Sequence, residues 1–176
     1  MNAITKTAIK AYLSQQPPER LMADLLELFT KFPAVQAYYQ AKLSPVDDAR
    51  LVEKYKAMIS REFFADGEGG QARRAAARKA IAEYKSVSGD PAGLADLMLF
   101  FVEIGVEHAK TYGEMGESFY NGLASMFYKA LQYLAKHGLQ AQFDERCRKI
   151  TRDAAGCHWG FQETLTELYD RVTHAT

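Results

Sequence analysis

The sequence predicts an all-α protein, and three observations carry that prediction. Apolar residues recur at i, i+3 and i+4 over several turns, most clearly in Leu51, Val52, Tyr55, Met58, Ile59, Phe63 and in Phe119, Leu123, Met126, Phe127, Ala130, Leu131, Leu134. No stretch alternates with the period of two that a half-buried strand requires. Polar capping residues stand directly before prolines at Ser44-Pro45 and Asp90-Pro91, where proline suits a first helical turn. About eight or nine helices are expected, arranged as a multi-helix bundle or a short α-solenoid.

Taken in order, the periodic segments are 4–13, 21–32, 35–43 and 51–63. They continue with the alanine-rich, basic segment 73–85, then 91–110, 119–134, 139–154 and 161–172. Pro33 divides the second segment from the third. Ser44, with Asp47 and Asp48 in the following turn, starts the fourth. The stretch ADGEGG at 65–70 has the composition of a loop, and Gly138 after Lys136 and His137 that of a C-terminal cap. His137 and His174 fall at helix ends, where a cation suits the helix dipole.

The 176 residues, 19.8 kDa, are enough for one sizeable core, so a single domain over 1–176 is expected, with 48% apolar and 25% charged residues as in an ordinary soluble protein. An old duplication would also fit, over roughly 17–85 and 89–154. MADLLELF at 22–29 matches LADLMLFF at 94–101, and the same offset places Leu51, Tyr55 and Ile59 on Leu123, Phe127 and Leu131. Twenty-two basic residues balance twenty-two acidic ones, so no global field draws the chain to nucleic acid or to a membrane. The first residues do not read as a secretory signal, and the apolar run 97–102 is too short to span a bilayer; a cytoplasmic protein is expected. Cys147 and Cys157 have neither redox nor zinc spacing. Cys147 shares a helical face with Phe143, Ile150 and Ala154, which predicts a core thiol.

Three side-chain groups are candidates for function. The first is an acidic stripe. Asp96, Glu103 and Glu107 interrupt the most apolar segment of the chain, and at about 100° per residue they fall within about 20° of one line, roughly 16 Å long. Unpaired burial of such carboxylates would cost several kcal/mol, so the stripe is either solvated or faces cations from another helix. The predicted supplier is the basic helix, with Arg74 or Arg78 pairing part of the line. The second group is that basic patch itself, Arg73, Arg74, Arg78 and Lys79, which could alternatively contact phosphates. The third is a set of aromatic residues near helix ends, Tyr38, Tyr39, Phe64, Phe119 and Tyr120, candidates for a surface that meets a protein partner; core packing is expected to account for most of them, with Tyr39 and Tyr120 exposed or hydrogen-bonded.

Catalytic signals are weak. Glu103 and His108 are five positions apart, not the i, i+3 of a bundle di-metal site, and no nucleophile elbow, phosphate loop or zincin motif occurs. No catalytic residue, metal or cofactor is predicted. The favoured function is a non-catalytic interaction or regulatory module with a protein partner. Nucleic-acid association through 73–85 is the rival, followed by an enzyme or metal-binding protein using the stripe of helix 91–110.

AIKAYLSQQPPERLMADLLELFTKFPAVQAYYQAKLSP, KAMISREFF, RRAAARKAI, DPAGLADLMLFFVE and ESFYNGLASMFYKAL together resemble a family of bacterial proteins known only as a domain of unknown function. The signature lies chiefly in DPxxLADLML and in the Phe119-Tyr120 pair. The resemblance implies an all-helical fold over nearly the whole chain and brings no activity, cofactor or catalytic residue. Relatives tend to carry a more basic loop after EFF, where this chain has Asp66, Gly67, Glu68, Gly69 and Gly70.

Overall fold

A computed structural model describes residues 5–43, 45–64, 72–113 and 115–173. Among these residues there are nine helices and no strand: α1 (Lys6–Leu13), α2 (Pro18–Lys31), α3 (Pro33–Leu43), α4 (Pro45–Phe63), α5 (Arg74–Val87), α6 (Pro91–Tyr112), α7 (Glu117–His137), α8 (Gln140–Asp153) and α9 (Phe161–Thr173). Each predicted helical segment has its helix. Ser44, the 65–70 loop and His174 lie outside the described residues.

The punctuation works as its chemistry requires. Both Asp90 carboxylate oxygens accept from the first free amides of α6, those of Ala92 and Gly93, at 2.9 and 2.8 Å. Pro33 follows the extended Phe32, so α2 and α3 meet at a one-residue break. Gly138 closes α7 in the left-handed region (φ 67°, ψ 29°), letting the Leu139 amide donate back to the Leu134 carbonyl.

Helix α6 is the axis of a bundle formed by α4 to α9. It packs against α4, α5, α7 and α8, while α9 lies against α7 and α8. Thirteen of its residues are buried, which is why its sequence is apolar around most of its circumference. Close approach to α7 depends on Gly105, where an added Cβ would lie 2.4 Å from the fully buried Leu123 side chain. The core collects one face of each helix, including Ile59 and Phe63 of α4, Tyr84 of α5, Leu99 and Phe101 of α6, Phe127 of α7, Ile150 of α8 and Leu165 of α9. Cys147 belongs to this core as predicted, and burial pushes its thiol up to about 12.

The first three helices behave differently. Neither α1 nor α2 contributes a buried residue; α2 touches α3, and α3 in turn reaches α4 and α5. They form an arm on the bundle rather than a layer of it. The two segments matched at offset 72 therefore stand in opposite settings, 22–29 on the exposed arm and 94–101 in the central helix.

Candidate interaction surface

Two of the three stripe carboxylates are partnered, though not by the candidate cations of the basic helix. Arg146 of α8 forms a two-pronged bond with Glu103, Nε and Nη2 each donating at 2.7 Å, and its Nη1 donates to Asp96 at 2.5 Å. Lys56 of α4 reaches the other Asp96 oxygen at 3.0 Å and also pairs with Glu53. Four charges thus join α4, α6 and α8 along one seam, each about a quarter exposed. Burial alone would pull the Arg146 guanidinium down, but its bonds to Glu103 and then Asp96 outweigh it, and the group is held well above its ordinary value. Lys56 is raised in the same way, by Glu53 and Asp96 against burial. Glu107, the third member, is exposed.

The prediction that Arg74 or Arg78 neutralises the stripe is therefore corrected. Helices α5 and α6 do touch, yet both guanidiniums reach past α6 onto α7. Arg74 donates to the carbonyls of Ser118 and Phe119 at 2.7 and 3.2 Å, and Arg78 to that of Gly122 at 3.3 Å. They also lie over the rings of Phe119 and Phe101 at 5.1 and 5.6 Å. Gly122 makes this possible, since a Cβ there would stand 2.7 and 2.8 Å from the two guanidiniums. Of the remaining patch, Arg73 pairs with Glu62 at 2.9 Å, and Lys79 is 80% exposed with Glu83 4.0 Å away. Most of the basic helix is thus spent on holding α5 to its neighbours.

The aromatic set divides. Tyr38 is exposed, and Tyr39 and Phe64 are partly covered. Phe119 and Tyr120, two of the surface candidates, are instead buried at 6% and 3% exposure. Adjacent residues on a helix point in different directions, but α7 has neighbours on both sides: Phe119 stacks on His108 of α6 at 5.6 Å, and Tyr120 meets Phe161 of α9 at 5.1 Å. His108 itself is wholly buried within a ring of Phe63, Phe64, Tyr112 and Phe119. Among the described residues no three His, Cys, Asp or Glu side chains come together as a metal-ligand set, and no helix is long and apolar enough to cross a membrane.

What the sequence reading missed is the arm. Of the thirteen large hydrophobic residues left exposed among the described residues, eleven lie between Ile9 and Leu43. In α2, Leu21, Met22, Leu25, Leu26, Leu28 and Phe29 occupy one continuous arc of about 160°, a face of core quality. Met22, Leu25, Leu26 and Phe29 with Tyr39 and Leu43 of α3 line an open groove of about 330 Å³, with no charged side chain among the described residues of its wall. The Phe29 and Tyr39 rings, edge to face at 6.3 Å, form its floor, and Leu43 is 76% exposed at its rim. The opposite side of α2 carries the pairs Arg20–Asp24 and Glu27–Lys31, satisfied within the helix.

A family model matches residues 4–173, described as a family of unknown function, DUF6155. The chain belongs to that family. No curated protein and no solved structure is similar enough to match. The DUF6155 match runs through arm and bundle alike, so the exposed helices are as much part of the family's extent as the core.

Proposed function

We propose that the chain is a non-catalytic helical interaction module whose contact surface is the arm formed by α1, α2 and α3. The observation that carries this reading is the concentration of exposed apolar side chains on those helices. A monomer's largest apolar patch is ordinarily about 300–600 Å². With a large side chain presenting about 200 Å², the eight exposed residues from Met22 to Leu43 leave on the order of 800 Å² uncovered. The ion-pair seam and the α5 arginines are spent on packing, whereas α2 contributes no buried residue. Two free thiols, one of them in the core, fit a cytoplasmic setting.

The test is retention from nuclease-treated lysate of the chain's own cells on immobilised wild-type protein and on Leu25→Asp/Phe29→Asp. Proteins held by the wild type and lost from the variant are expected. Equal retention by both, or retention abolished by the nuclease, would contradict the reading.

A further inference from the structure

We infer that the occupant of the α2–α3 groove is a second copy of the same chain, joined across a two-fold axis. This rests on the arm being a contact surface and names what it contacts.

The area is right for it. The eight exposed large hydrophobics from Met22 to Leu43 leave on the order of 800 Å², which is about what each partner contributes to a standard stable interface. The shape is right as well. A two-fold interface brings one patch against itself, so the patch must contain both what protrudes and what receives. Here α2 does both, since Met22 and Leu26, at 63% and 60% exposure, rise at the edge of the groove they help to line. Two arms meeting this way would interleave two α2 and two α3 helices as a four-helix layer.

The charges point the same way. The described residues that line the groove are all uncharged and do not select a foreign chain by sign. The four paired charges of α2 lie on its far side, where a contact through the apolar face does not bury them. The chain is formally neutral, so two copies do not repel. A lipid surface is disfavoured because α2 carries Glu19, Asp24 and Glu27 against Arg20 and Lys31, whereas a helix lying on anionic lipid needs a basic polar face.

Sedimentation velocity of the full chain from about 1 to 100 μM, run on wild type and on Leu25→Asp/Phe29→Asp, tests it, with 8-anilinonaphthalene-1-sulfonate fluorescence on the same samples. The expected result is a species of twice 19.8 kDa in the wild type and a monomer in the variant, whose circular dichroism is unchanged. A wild-type monomer throughout, or a dimer that survives the substitutions, overturns the inference. The dye separates that failure from failure of the wider reading. A monomer that enhances dye fluorescence keeps its apolar face open for another occupant, such as a foreign helix or phospholipid vesicles. A monomer that leaves the dye dark has no such face, and both readings fall.

Discussion

Helices α2 and α6 are built from nearly the same alphabet, MADLLELF against LADLMLFF, yet one buries no residue and the other buries thirteen. The difference is made by neighbours. Helix α6 has α4, α5, α7 and α8 around it, with Gly105 thinning its wall for α7. Among the described residues helix α2 packs mainly on α3, across a one-residue break. Amphipathicity states that a face wants cover; it does not state which chain supplies the cover.

That contrast can be broken most forcefully in the bundle. Phe101→Ala removes a fully buried ring and is expected to cost about 3–5 kcal/mol in denaturant unfolding. The matching change on the arm, Leu25→Ala, should cost less than about 0.5 kcal/mol in dilute protein. It should instead reduce how strongly the melting temperature rises with protein concentration. Equal costs at the two sites would erase the distinction.

The next largest effect belongs to the charged seam. Arg146→Met keeps the stem but leaves Glu103 without its partner and Asp96 with Lys56 alone, and about 2 kcal/mol of destabilisation is expected. A double-mutant cycle with Glu103→Gln should show coupling of about 1 kcal/mol, whereas the cycle of Arg74→Gln with Glu103→Gln should be additive. Gly105→Ala, which drives a methyl against the buried Leu123, is expected to cost about 1–2 kcal/mol despite alanine's better helix propensity.

The smallest effect is a pH dependence at the α8–α9 contact. The Tyr169 hydroxyl donates to Asp144, and that bond, then Arg148, holds the Asp144 carboxyl below the usual range. A carboxylate lowered in the folded state contributes stability above the ordinary carboxylate range and loses it as pH falls through its folded value. Asp144 is well exposed, so the contribution is small. Tyr169→Phe should therefore flatten the acid limb of stability against pH slightly and leave the neutral region within about 1 kcal/mol of wild type.

Legibility in the sequence followed what is local. Periodicity placed seven of the nine helices among the described residues, alanine-rich composition placed α5, capping chemistry fixed the start of α6 and the end of α7, and the Phe143–Cys147–Ile150 face put the thiol in the core. The cation on the acidic stripe was not local. Arg146 is about 40° from Ile150 on α8, at the edge of the buried face, and that position was the one available hint. Composition pointed to the alanine-rich basic helix, whose arginines find α7 carbonyls through the gap at Gly122. Phe119 and Tyr120 are both covered because adjacency excludes a shared direction, not a shared burial, in a helix with neighbours on two sides.

The bundle buries its core within its own chain, whereas the described residues leave the α2 face open. Amide hydrogen exchange in dilute protein measures this helix by helix. The α6 amides are expected to open only with global unfolding while those of α2 exchange orders of magnitude faster, and raising the protein concentration is expected to slow α2 alone. Protection of α2 equal to that of α6 at the lowest concentration would contradict it.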